Sequence, residues 1–591
     1  MTGEPPGHLP SRSVGAVFAV LIAAQVFLGF LGVADHWTRG HNGWNGAAYH
    51  LSARNSLRWE VLFPLQYDAG VTPPSATDLY THHPLGMHLH NTASVWLFGD
   101  HPAAVRGVAA VHGVLALAML FVFVRRWWDD LHAIVAGAVY VILPINAIYI
   151  HMANHSNGFI FWGLLALHCY LRFDEVSRSG REGRWRWYAA MIAAFFMAAQ
   201  WDWPAYYLAF GVAVHWLVAG LAQLRRQGRP LWKWDARLGA LAGWCVWVLA
   251  LFGGHFVLVQ LFTENVGELA GTFEERQNVG WPRFREHLAI VPELMFTWPV
   301  LGMAGVWLGA YVVRLGRGRA RARDLAPLVF ALGGACHYWV FKWSATVHSY
   351  WAWTMLPFFA IACASVTVTT GRWLVRRAEP RLGRPLAVAA GALVGLLLVP
   401  LVVRSADIVP PARRVGGSMW WVAPVRGPVA TDYRSGRPEL RFAEQVREWT
   451  DRRTGVLVHR SIMALNPEPR FDATLDRETR PTGRIVDGGP PHPGVDGWVL
   501  IGVVGDVPFE QIADVAARHP YWQYGRFFMV DLRRSEQDVR VYDLMRVSPS
   551  PAWWYFVSPF EDPVRVERPA ETERALRESI RERATASRPT P

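Results

Sequence analysis

The chain has 591 residues, of which 52% are hydrophobic and only 18% charged, against about 25% charged in ordinary soluble domains. Its net charge of +12 comes almost wholly from arginine, since Lys233 and Lys342 are the only lysines. The arginines cluster between apolar runs and not on a soluble basic face with interleaved aromatics, which argues against nucleic-acid binding.

A helix needs about 20 mostly apolar residues to cross a hydrocarbon core of about 30 Å. Runs that meet or approach this are 14–34, 104–124, 131–150, 157–173, 188–201, 203–222, 238–262, 290–313, 326–341, 349–371 and 386–404. They predict a polytopic α-helical membrane protein with about eleven transmembrane helices. The first run is longer than the apolar core of a typical signal peptide, and chemically interesting residues follow it directly, so it reads as an uncleaved anchor. The segment 35–103 is too long for a mere connector. Two interfacial helices are expected in it, Trp44 to Val61 and Pro84 to Phe98, each with aromatic and aliphatic residues on one face.

Basic loops alternate along the chain. Arg125-Arg126, Arg178 to Arg186, Arg225 to Arg237, Arg314 to Arg323 and Arg372 to Arg384 mark the cytoplasmic side by the positive-inside rule. The N-terminus is then cytoplasmic, while 35–103, 263–289, 342–348 and everything after 404 lie outside. Cys169, Cys245, Cys336 and Cys363 all sit within apolar runs, so no disulfide framework is expected in the C-terminal domain.

Beyond the membrane part (1–404), residues 405–436 read as a linker rich in Pro, Gly and Arg. A small extracytoplasmic α/β domain is expected over 437–564, followed by a disordered tail, 565–591. Its elements are a helix from Pro438 to Arg453, strands at Val456-Leu457-Val458 and Trp498 to Val504, a helix from Phe509 to Arg518, and further strands at Tyr524 to Leu532 and Val539 to Val547.

The centres of the spans are almost free of Asp, Glu, Lys and Arg, which argues against an ion-coupled transporter. Histidines do occur there (His112, His168, His215, His255 and His337), and neutral, interhelical hydrogen bonding is their plain reading. Other polar groups gather at the outer boundary. Asp35 follows the first span, Asp202 occupies the turn at Trp201-Asp202-Trp203, and Lys342 ends the ninth span with His348 and Tyr350 beyond it. His151, Asn154, His155 and Asn157 fill the turn after the third span, and Glu264 and Glu268 begin the loop after the seventh.

The order and spacing of these features resemble the GT-C glycosyltransferases, in particular the protein O-mannosyltransferases and lipid A aminoarabinose transferases. The residues that carry the likeness are Asp35, the long outer loop with Tyr80-Thr81-His82-His83-Pro84-Leu85, Trp96-Leu97-Phe98-Gly99 and Ala103 to Arg106, and Val347-His348-Ser349-Tyr350-Trp351 leading to Leu356-Pro357. The resemblance implies inverting sugar transfer from a polyprenyl-phosphate donor on the extracytoplasmic face of the cell membrane, with Asp35 at the catalytic acidic position. One departure stands out: many relatives carry a second acidic residue after the third span, where this chain has histidines and asparagines.

An inverting transfer needs a base for the attacking hydroxyl, and Asp35 is the candidate. It needs cationic or hydrogen-bonding donors for the leaving phosphate, and Lys342, Arg58, His348 and Tyr350 are the candidates. His83 and Asp202 are candidates for binding donor or acceptor. No divalent metal is expected, because the loop histidines lack a clean ligand spacing. The expected partners are membrane lipids, the lipid-linked donor and a protein, lipid or polysaccharide acceptor. A flippase for lipid-linked saccharides and a non-catalytic scaffold are the competing classes.

Overall fold

In a computed structural model of the chain, the residues described are 11–35, 37, 41–64, 79–179, 182–226, 236–263, scattered positions from 271 to 277, 279–414, 438–459 and strand-centred stretches from 475 to 566. They divide into two compact units. One follows the helices from Ser11 onward; the other holds the C-terminal sheet and the helical stretch Asn55–Val61.

Six described helices are long and apolar enough to cross a membrane. They lie in α1 (Ser11–Phe30), α4 (Pro102–Trp127), α9 (Pro204–Arg226), α10 (Ala236–Thr263), Trp298–Gly316 and the segment Tyr350–Arg381. Between them run α5 (Asp130–Ile142), α6 (Pro144–Tyr149), α7 (Ser156–Arg178), α8 (Arg184–Trp201) and Leu325–Val340. Apolar side chains such as Phe210, Val246, Leu249, Leu261 and Val312 are each more than 60% exposed; a row of bare hydrophobics of this size is what contact with lipid requires.

Several apolar runs are broken where the sequence reading drew one helix. The run 131–150 divides at Leu143, because Pro144 cannot donate to the preceding turn. The run 290–313 divides at Thr297, a fully buried residue held at φ +66 between two helices. The run 386–404 breaks into Arg384–Leu393, a 3-10 turn and Val399–Arg414, so 405–414 is helical and not linker. Glu264, Glu268, 415–437 and most of the tail lie outside the described residues.

The basic ends of the helices meet in an ion-paired layer. Arg125 pairs with Asp130 at 2.6 Å, Arg126 and Arg172 both reach Glu175, and Arg372 reaches Asp129 at 2.7 Å. Asp129 also caps α5 by accepting from the His132 backbone N–H at 3.0 Å. Replacing Asp129 by Ala removes the cap and leaves His132 and Arg372 unpaired. The expected loss is about 1–3 kcal/mol, read as a lower unfolding temperature of the detergent-purified protein.

The two stretches expected to be helical are helices, α2 (His41–Trp59) and α3 (Gly86–Phe98). The end of α3 presents Trp96, Leu97 and Phe98, each more than 60% exposed. The first part of α2 is buried instead, because its polar side chains are used: Asn42 donates to the Ile148 carbonyl at 3.2 Å, and Tyr49 bonds His155.

The second unit contains a helix, Pro438–Trp449, and a mixed six-stranded sheet in the order β2-β1-β3-β5-β4-β6, in which β6 is Val541–Asp543, within the strand expected from Val539 to Val547. The central strands β1 (Thr454–His459), β3 (Gly497–Val503) and β5 (Phe527–Asp531) carry continuous apolar runs, and Phe442 of the helix stacks on Phe527 at 5.2 Å. The strand expected over 524–532 is β5, and it pairs antiparallel with β4 (Tyr521–Tyr524), a separate strand that the sequence reading did not draw. β2 (Thr479–Thr482) has no counterpart in the sequence reading, because its Pro481 disguises an edge strand. The helix expected at 509–518 lies mostly outside the described residues.

Candidate active site

Asp35 closes the turn that follows α1. The helix ends through Leu31 N–H to the Phe27 carbonyl, Gly32 takes φ +76, and Asp35 N–H bonds the Gly32 carbonyl at 3.2 Å. Glycine is needed at 32 on two counts. Its φ is left-handed, and a Cβ there would stand 2.7 Å from Asp35 Oδ2. The carboxylate itself is exposed.

One side chain holds this turn together. Arg106, in the second turn of α4 and 1% exposed, donates from Nη1 toward the carbonyls of Gly32, Val33 and Asp35. Its guanidinium lies over the Trp37 ring, 4.5 Å from the centroid. Trp37 in turn packs on Gly46 and His50 of α2, and His50 bonds Asp100 at 2.6 Å. The turn after α1 is thereby tied to α2 and, through His50, to Asp100 just beyond α3. Replacing Gly32 by Ala is expected to displace the Asp35 carboxylate and to cost about 1 kcal/mol or more in strain, read as lost activity together with a lower unfolding temperature.

A second group of polar side chains meets in the interior of the first unit. Asp202 caps the end of α8, 6% exposed, and accepts from the Trp203 backbone N–H at 2.8 Å. His83 lies beside it, Nδ1 to Oδ1 3.7 Å, and stacks on His155 with centroids 4.2 Å apart. His155 is fixed from both ends. Its Nδ1 donates to the Trp201 carbonyl at 2.8 Å, and its Nε2 takes the Tyr49 hydroxyl at 2.7 Å. The charge of Arg276 acts on His82, His83, His155 and Asp202.

Burial sets the protonation of these groups. It pushes His155 down to about 3 and, helped by Arg276, His82 down to about 4; His83 falls in the same direction. Burial pushes the Asp202 carboxyl up, against the opposing pull of His155 and Arg276. The unfolded chain takes a proton on each histidine near 6.5, whereas the folded chain does not. Stability from His155 and His82 is therefore complete above 6.5 and is lost as pH falls toward 3–4, at roughly 1.4 kcal/mol per pH unit for each, and His83 acts in the same direction. Asp202 works the other way, its contribution being lost as pH rises through its raised value. Unfolding temperatures measured from pH 7.5 to 4 should fall on the acid side, and His155→Gln should flatten that slope.

The remaining predicted residues are more scattered. Tyr350, 8% exposed, shares a hydrogen bond with Asn45 of α2, and its ring stands 5.9 Å from Tyr149. His348 lies 5.2 Å from the Tyr350 ring. Lys342 sits beside the exposed ring of Trp339, 5.9 Å from its centroid, at the start of a short helix. Arg58 is half-buried in the last turn of α2, within the second unit. Of the histidines within spans, His112 bonds the Val108 carbonyl, His215 the Tyr170 hydroxyl and His255 the Thr81 carbonyl. Among the described residues, no group of three or more His, Cys, Asp or Glu is arranged to hold a metal ion.

Two residues escaped a role in the sequence reading. Arg106 was legible as a lone charge one turn inside an apolar run. Arg276 had no signal beyond its place in an outer loop.

No protein-family model and no curated protein matches the sequence. Solved structures do match by fold. ArnT from Cupriavidus metallidurans bound to undecaprenyl phosphate superposes with a TM-score of 0.55 at 14% identity, over 88% of this chain and 98% of that one. The archaeal oligosaccharyltransferase AglB from Archaeoglobus fulgidus, in complex with an inhibitory peptide and a dolichol-phosphate, gives 0.52 at 13% identity, over 88% and 74%. An Archaeoglobus fulgidus oligosaccharyltransferase tethered with an acceptor peptide gives 0.51 at 15%, over 79% of this chain and 64% of its own, so this chain spans just under two thirds of it. At these identities the likeness is one of architecture: the chain shares the multi-pass membrane fold of these solved structures.

Proposed function

We propose that the protein transfers a sugar from a polyprenyl-phosphate donor to an envelope acceptor at the extracytoplasmic face of the cell membrane, with Asp35 as base. The observation that carries this reading is the exposed Asp35 carboxylate, at the end of the first spanning helix, on a turn pinned by a buried arginine. Two structures of the same architecture hold a polyprenyl phosphate or dolichol-phosphate, which supports a lipid-linked donor.

In the reaction, an acceptor hydroxyl gives its proton to Asp35 while its oxygen bonds the anomeric carbon. The bond from that carbon to the phosphate oxygen breaks, and polyprenyl phosphate leaves with the electron pair. Attack opposite the leaving group inverts the anomeric configuration. Lys342, Arg58, His348 and Tyr350 are the candidates for holding the phosphate. About eleven spans are proposed, with the N-terminus cytoplasmic and the C-terminal α/β domain extracytoplasmic. The basic helix ends support this orientation, because α4 runs from the Arg106 end to the Arg125 and Arg126 end, about 39 Å at the helical rise.

The test is transfer from defined radiolabelled polyprenyl-phosphoryl sugars to envelope fractions by the protein in proteoliposomes. A labelled glycosidic product that requires Asp35 supports the reading. Movement of the donor across the bilayer with no glycosidic product would make the protein a flippase instead.

A further inference from the structure

Buried polar groups normally find a hydrogen-bond partner, so those that lack one ask for an explanation. In the Asp202 cluster two imidazole nitrogens are in that condition. His83 Nδ1 is buried with no hydrogen bond among the described residues, and its 3.7 Å separation from Asp202 Oδ1 is too long for one. His337 Nδ1, on a residue only 3% exposed, is likewise without one. The His337 ring is held flat against Trp351, with centroids 4.4 Å apart and planes 4° from parallel, and His337 interacts electrostatically with Asp202. The hydrogen bond found for Asp202 is the one from its neighbour's backbone, which leaves acceptor capacity on the carboxyl group.

The chemistry left open is therefore a carboxyl group and two imidazoles with spare donor or acceptor capacity, all beside aromatic rings. A polyhydroxylated ring suits it. Each hydroxyl donates one hydrogen bond and accepts others, which matches an acceptor carboxylate next to imidazoles that take either role. Charge narrows the class further. Arg276 supplies one positive charge to the cluster and Asp202 at most one negative charge. An added ammonium group would leave the buried cluster with an uncompensated positive charge, which is costly; a neutral hydroxyl adds none.

We propose that Asp202, His83 and His337 form a subsite for the donor's sugar ring, and that this ring is a neutral hexose or pentose and not an amino sugar. The inference rests on the donor reading above. It also accounts for the turn after the third span: His155 stands there without an acidic neighbour, and the carboxyl group comes from the turn after α8. The three side chains arise from the loop before α3, the end of α8 and the helix Leu325–Val340, at the helix ends where a lipid anchor would hold a headgroup.

Binding to the detergent-purified full chain tests the proposal without relying on turnover. Three probes are compared by thermal shift and by tryptophan fluorescence titration: undecaprenyl phosphate, undecaprenyl-phosphoryl mannose and undecaprenyl-phosphoryl 4-amino-arabinose. The wild type should bind the mannose lipid about ten- to hundredfold more tightly than bare undecaprenyl phosphate, the range expected for hydrogen bonds to a charged group. The amino-sugar lipid should show no such gain. Asp202→Asn and, separately, His83→Asn should bind bare undecaprenyl phosphate as the wild type does and lose most of the gain for mannose. An undiminished gain in both variants, or a preference for the amino sugar, overturns the subsite while leaving the donor reading intact. Failure of all three lipids to bind overturns the donor reading and the subsite together.

Discussion

Asp35→Asn is expected to lower sugar transfer by at least about a hundredfold while the protein still inserts, folds and binds its donor. The amide is the same size, so the turn keeps its Gly32 and Arg106 contacts, which go to backbone carbonyls and not to the carboxylate. What the substitution removes is the lone pair that takes the proton, and a positioned general base contributes typically about 10²–10⁴-fold. Rate and affinity separate the readings. A base assignment requires kcat to fall with KM for the donor little changed. A large rise in KM at constant kcat would instead make Asp35 a binding residue. Activity equal to the wild type in reconstituted membranes, with the variant's expression and unfolding temperature matched, removes Asp35 from the chemistry.

How much of this was legible in the sequence depended on the kind of signal. The apolar runs and the alternation of arginines needed only composition, and Asp35 needed only its place after the first run. Breaks inside the runs were readable at Pro144 but not at Thr297, since a threonine with positive φ leaves no local mark. The grouping of His83, His155, Asp202 and His337 was not legible. They come from four separate segments, and only packing of α8 against α7, with the loop before α3 laid over both, brings them together. Lys342 illustrates the converse. Its isolation in the sequence made it a prominent candidate for phosphate, and its packing beside the exposed ring of Trp339 left no mark in the sequence.

Arg106 is where fold and chemistry are least separable, and its replacement should do the most damage. Its guanidinium is almost fully buried, stacked on Trp37 and turned toward three carbonyls of the Asp35 turn. Arg106→Leu removes the side-chain donor to the Val33 and Asp35 carbonyls, leaves Gly32 with the Asp35 N–H alone, and strips Trp37 of its stacking partner. These bonds are part-buried, so their loss costs up to about 1–3 kcal/mol each, and activity and unfolding temperature should both drop. Arg106→Lys separates charge from geometry. It keeps the cation, but a point charge cannot both stack and fork across the turn. If the arginine acts by positioning, the lysine variant folds, binds donor and loses kcat nearly as far as Asp35→Asn does. The double variant then loses little beyond either single one, because both act on one carboxylate. Additive losses in that double-mutant cycle would mean that Arg106 supports the fold alone, and that Asp35 finds its place without it.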